Sequence, residues 1–98
     1  MEDRFSILLS LKTPAGFEVF GEFGIGEDGP AATVLFDSLQ GDENLNDAAL
    51  LHIDLVETDG LLPGSIKTKC CRLEELAINC KLITREVFRQ KTLDTYEE

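Results

Sequence analysis

Basic residues are scarce in this chain. Nine Lys and Arg stand against nineteen Asp and Glu, giving a formal net charge of −10 over 98 residues. A phosphate backbone is gripped by clustered cations, so this shortage argues against nucleic acid as a partner. Long apolar runs are also missing. The start, Met1-Glu2-Asp3-Arg4, is acidic, and the apolar stretch behind it is short and interrupted. Neither a secretory signal nor a membrane span is expected from it. Cysteine is limited to Cys70, Cys71 and Cys80, an odd number without a C-x-x-C pair. Neighbouring strand residues point to opposite faces, which argues against a Cys70–Cys71 bridge. A reducing, cytoplasmic setting is the expectation. The cysteines and the single His52 match no structural zinc spacing, so neither metal nor cofactor is expected.

What remains is ordinary globular material, 43% hydrophobic and 29% charged, of a length that suits one domain over residues 1–98. The charge is uneven. Residues 1–49 carry ten acids and two bases, and residues 50–98 carry nine acids and seven bases. An acidic half beside a near-neutral one can steer a basic partner or simply aid solubility.

The chain reads twice through one plan of strand, strand and helix, over residues 5–40 and 49–91. In the first strand Phe5, Ile7, Leu9 and Leu11 alternate with Ser6, Leu8, Ser10 and Lys12, and Thr13-Pro14-Ala15-Gly16 turns the chain. Strict alternation next places Phe17, Val19, Gly21, Phe23 and Ile25 opposite Glu18, Phe20, Glu22 and Gly24. Asp28-Gly29-Pro30 opens a helix with a capping carboxylate and an early proline; Gly41 stops it. Its packing side is expected to carry Ala31, Val34, Leu35, Leu39 and Phe36.

The second unit repeats the pattern. Ala49, Leu51, Ile53 and Leu55 oppose Leu50, His52, Asp54 and Val56. Thr58-Asp59-Gly60 turns the chain, and a strand over 65–72 sets Ile66, Thr68 and Cys70 against Lys67, Lys69 and Cys71. A helix over about 73–91 has a stripe of Leu73, Leu76, Ala77, Cys80, Ile83, Val87 and Phe88, followed by an acidic tail over 94–98. These elements predict an α+β two-layer sandwich in ββαββα order, a four-stranded antiparallel sheet with both helices on one face.

Two motifs fall away on their chemistry. Gly24-Ile25-Gly26-Glu27-Asp28-Gly29 spells G-x-G-x-x-G, but Glu27 and Asp28 would repel a pyrophosphate and the strand before it belongs to a hairpin. Asp42-Glu43-Asn44-Leu45-Asn46-Asp47 starts like a calcium loop. It has Asp47 where glycine is needed and Ile53 where glutamate closes the site.

The sheet face left without helices is the leading candidate surface. On it the reading places Leu8, Phe20, Leu50 and Val56 among Ser6, Ser10, Glu18, Glu22, His52, Asp54, Lys67 and Lys69. Four large apolar side chains on a wet face approach the size of an interface, and a twofold homodimer is the commonest way to cover one. Lys81, Arg85 and Arg89, four residues apart on the second helix, form a basic ridge that suits a secondary contact.

The segments Leu73-Glu74-Glu75-Leu76-Ala77-Ile78-Asn79-Cys80-Lys81-Leu82-Ile83-Thr84-Arg85-Glu86-Val87-Phe88, Leu11-Lys12-Thr13-Pro14-Ala15-Gly16-Phe17 and Asp54-Leu55-Val56-Glu57-Thr58 resemble a group of small uncharacterised proteins from Bacteroidetes-type bacteria. That resemblance implies a bacterial cytoplasmic protein and transfers no functional residues. The expected function is a non-enzymatic protein-interaction module that self-associates through the open sheet face. The alternative is a small-ligand or enzymatic site built from His52, Asp54, Ser10 and Lys67.

Overall fold

A computed structural model of the protein describes residues 3–45, 48–59 and 62–96. Its elements follow the order β1 (Phe5–Thr13), β2 (Gly16–Gly26), α1 (Gly29–Ser38), β3 (Leu51–Asp59), β4 (Leu62–Cys71) and α2 (Leu73–Tyr96). The strands form one antiparallel sheet in the order β2-β1-β3-β4. Both helices share a single core with it, so the fold is the expected α+β sandwich. The smallest dimension, 20 Å, leaves room for one sheet and one helix layer, a helix with its side chains being about 10 Å across.

Alternation in β1 and β3 builds the floor of the core. Phe5, Ile7 and Leu9 pair across to Glu57, Leu55 and Ile53 and point toward the helices. The β1–β2 hairpin is locked by Thr13, whose hydroxyl donates to the Gly16 carbonyl (2.7 Å) and accepts from the Ala15 amide (3.2 Å). Gly16 sits at φ 120°, a conformation only glycine takes without strain.

Asp28 caps α1 by accepting from the Ala31 amide at 3.2 Å. The helix buries Ala32 and Phe36, and Leu39 at its C-cap is buried too. Ala31 and Val34, expected on the packing side, face outward, and Val34 is 70% exposed. Rotating the helix by this much puts its bulkiest side chain, Phe36, on the sheet, which hides more apolar area than Val34 could.

In α2 the buried positions are Leu76, Asn79 and Ile83, with Cys80, Leu82 and Val87 partly covered. Leu73, Ala77 and Phe88, expected in the stripe, are exposed. Asn79 displaces them because it clamps the chain after α1. Its Oδ1 accepts from the Gln40 amide at 2.7 Å and its Nδ2 donates to the Gln40 carbonyl at 2.8 Å. The helix reaches Tyr96, past the expected end near Lys91, so the first part of the acidic tail is helical. Glu97 and Glu98 lie outside the described residues, as do Gly60 and Leu61 in the second turn.

Two irregularities in register correct the expected faces. In β2, Gly21 pairs with Leu9 and Val19 with Ser10, leaving Phe20 as an unpaired bulge residue. Beyond the bulge the alternation is inverted, so Phe17 and Val19 lie on the open face and Glu18, opposite Leu11, on the other. In β4, Lys67 pairs with Leu55 and Ser65 with Val56, leaving Ile66 unpaired. Lys67, Lys69 and Cys71 therefore share the helix side with Leu55, Ile53 and Leu51, and Cys70 is on the open face opposite His52.

Candidate interaction surface

The open face is built from cross-strand rows. Phe17 pairs with Lys12, whose amide donates to the Leu50 carbonyl at 2.9 Å. The next row runs Val19, Ser10, His52, Cys70, and the one after it Glu22, Leu8, Asp54, Thr68. The last runs Gly24, Ser6, Val56, Ser65. Side chains paired in a row lie about 5 Å apart, so each row touches the next through twist and reach.

Phe17 and His52 stack with centroids 4.1 Å apart and planes 20° from parallel. They belong to strands on either side of β1, about 10 Å apart by strand spacing, so both rings lean over β1. Ser10 beneath them is only 5% exposed. The stack encloses His52 Nε2, which has no hydrogen-bond partner among the described residues. Asp54 accepts from the Thr68 hydroxyl. Neither His52 nor Asp54 bonds the other, and both are half-buried.

Leu8, Glu22, His52 and Asp54 thus lie where the alternation puts them, and Leu50, just before β3, is exposed. Phe20 lies at the sheet edge as a bulge. Val56 is on the predicted face but is buried (6% exposed), and offers nothing to a partner. Lys67 and Lys69 leave the open face. Lys67 Nζ pairs with Asp37 of α1 at 2.7 Å, which holds its ammonium above the ordinary lysine range. Lys69 Nζ donates to the carbonyls of Phe36 (2.9 Å) and Leu39 (2.8 Å), supplying donors where a helix C-terminus has none. With Lys67 gone to the other face and Ser10 covered, the set His52, Asp54, Ser10 and Lys67 does not assemble.

Phe17 and Val19 join the surface unannounced. Only Gly21, which leaves the strand without a side chain to anchor its period, hinted at a bulge there. Of the basic ridge, Arg89 is held by Glu86 through Nε–Oε1 (3.1 Å) and a terminal nitrogen on Oε2 (2.5 Å), which lowers the Glu86 carboxyl below its ordinary value. Lys81 and Arg85 stand in solvent beside the exposed Phe88.

The glycine motif serves geometry. Gly24 and Gly26 end β2, Gly26 at φ 99°, and a Cβ at Gly29 would come within 3.1 Å of the Phe5 ring. In the acidic loop the Asp42 carboxylate accepts from the Asn44 amide at 2.8 Å, and the Asp42 backbone pairs with Cys70. Asn46 and Asp47 lie outside the described residues. Among the described residues no three His, Cys, Asp or Glu are grouped for a metal, and no helix is long and apolar enough to cross a membrane.

Cys71, buried on the helix side, has its thiol pushed up to about 11 by desolvation first, then by the Glu75 charge and by Cys70 and Cys80. Iodoacetamide at pH 8 should alkylate it about a hundredfold more slowly in the folded protein than in the unfolded chain, in proportion to thiolate. Mass spectrometry of the labelled peptide reads this, and equal rates would overturn the assignment. The sign of the linkage follows. From an ordinary value near 9 the unfolded chain releases this proton while the fold keeps it to about 11, so stability falls as pH rises across that window.

Comparison with known proteins finds no match among family models, curated proteins or solved structures.

Proposed function

We propose that the protein is a non-enzymatic interaction module that pairs with a second copy of itself through the open sheet face. The observation that carries this reading is the grouping of Phe17, Val19, Phe20 and Leu50. They are 47%, 55%, 46% and 64% exposed: Phe17 stacks on His52, Val19 shares the row of Ser10 and His52, Phe20 is the bulge residue next to Val19, and Leu50 precedes β3. Large apolar side chains clustered in water are costly, and covering them is favourable by about 25 cal/mol per Å².

The edge strands add support. The outer side of β4 is guarded where Asp42 bridges to Cys70. β2 runs eleven residues along the other edge with only Glu18 and Glu22 charged, a weakly defended edge next to the apolar group. A cytoplasmic home and kinship with Bacteroidetes-type proteins belong to the same proposal and rest on the amino-acid sequence.

Size exclusion with light scattering tests it. The wild type should elute as a dimer and Val19→Glu as a folded monomer, judged by unchanged circular dichroism. A wild type that stays monomeric at high concentration would sink the reading.

A further inference from the structure

At the end of the sheet where β4 passes into α2, the chain leaves a cleft of about 980 Å³. Its walls come from the end of β1 (Leu11), the approach to β3 (Ala48, Ala49, Leu50) and its first residue Leu51, and the start of α2 (Leu73). This volume lies at the upper end of pockets that enclose drug-sized molecules, about 300–1,000 Å³. Leu73 and Leu50 stand on its wall at 71% and 64% exposure, two of the four most exposed large apolar side chains described.

Several polar groups around the cleft already have partners within the chain. Asp42 and Cys70 exchange backbone hydrogen bonds at 2.8 and 2.9 Å, and the Lys12 amide is taken by the Leu50 carbonyl at 2.9 Å. The Arg72 amide donates to Glu75 Oε1 at 2.9 Å. The Cys70 thiol turns toward the Asp42 and Asn44 carbonyls. The charged residues of the lining are Lys12 and Arg72 against Asp42 and Glu75, so their formal charges cancel. The Arg72 guanidinium also lies 3.7 Å from Glu75. Leucine and alanine make up six of the thirteen lining residues and the four charges balance, so the wall favours hydrocarbon over an ion.

We infer that this cleft is a binding site for a neutral, predominantly apolar small molecule. It is a site separate from the self-association proposed above, although Leu50 borders both surfaces. Leu73 and Ala48 belong to the cleft alone and are the discriminating positions. A bound ligand removes Leu73 and Leu50 from water together, which is the source of affinity. Specificity is left to shape.

The uncharged dye Nile red serves as probe, with the full chain. Wild type should bind it saturably with blue-shifted emission, and amide shifts should change at residues 11–12, 48–51 and 70–75. Leu73→Gln should weaken binding about tenfold, the loss expected when one leucine's burial is removed. Ala48→Gln, which intrudes on the cleft, should weaken it as well. Both positions are exposed, so both variants should keep the wild-type spectrum elsewhere. Phe88→Gln and Val19→Glu should leave binding within twofold. No saturable binding, unchanged affinity in both cleft variants, or shifts confined to Phe17, Val19 and His52 would each overturn the assignment. Light scattering on the same samples reads self-association independently, since Val19→Glu alters the open face and Leu73→Gln does not.

Discussion

Lys69→Met is expected to cost the fold about 2–4 kcal/mol, the sum of two or three buried acceptors losing charged donors. In a domain of this size that lowers the melting temperature by roughly 10–20 °C. Buried charges are often replaceable by hydrocarbon without loss, because desolvation cancels their attraction. Lys69 differs in what it leaves behind. Its ammonium serves the carbonyls of Phe36 and Leu39, with Asp37 at 3.4 Å, and stands 5.1 Å over the Phe36 ring. Phe36 O has a second donor in the Leu39 amide, whereas Leu39 O would lose the lysine. Methionine keeps the volume and supplies no donor. Thermal unfolding by circular dichroism gives the loss, and faster hydrogen exchange over residues 36–40 should locate it at the end of α1. A methionine variant as stable as wild type would mean that those carbonyls find water, and the capping role would be wrong.

Phe36→Ala should be the most damaging single truncation, at about 3–5 kcal/mol, the range for deleting a buried phenylalanine with incomplete collapse of the cavity. Phe36 has no exposed surface and is packed in the core shared by both helices and the sheet. Losing the ring also removes the face under Lys69. Total stability for such a domain is only about 5–15 kcal/mol, so the variant should unfold at much lower urea with an unchanged denaturant slope. Val34→Ala on the same helix is the control. Its side chain is 70% exposed, and its effect should stay within about 0.5 kcal/mol. Equal losses at the two positions would show that α1 is rotated from the orientation described.

That pair of residues also marks what was readable in the amino acids. Hydrophobic spacing along 31–39 put Val34 and Phe36 together on the packing side, although residues two apart on a helix cannot both face the sheet squarely. Packing decides, because only one rotation fills the space above Ile7, Ile53 and Leu55 with a ring. The same limit acted on β4. Alternation sent Ile66 and Cys70 inward and the lysines outward, as their transfer energies recommend. The structure does the reverse because α1 ends over β4 with carbonyls in need of donors, and Lys69 can reach them. Solvent-facing Ile66, 45% exposed, is the counterpart of that choice.

The candidate surface was half legible for a related reason. Leu8, His52 and Asp54 sit on regular stretches of β1 and β3, in the middle of the sheet, where a neighbour on each side enforces the pleat. Phe17 and Val19 sit on an edge strand, where a bulge costs little and turns every later side chain over. The cleft beside α2 was not legible at all. Its walls come from residues 11, 48–51 and 70–75, which no local pattern connects.

By itself the order of residues determined the elements of this protein, their sequence, the helix cap at Asp28, the hairpin turn at Gly16, and the class of fold. Those depend on spacing, turn chemistry and backbone preference, all of which act over a few neighbours. Tertiary structure alone decided the strand order β2-β1-β3-β4, the burial of Lys69 and Asn79 and the faces of Phe17, Val19 and Lys67. The strand order and the burial of Lys69 and Asn79 settle where backbone groups of one element find partners on another. Such a debt exists only after the chain has closed on itself.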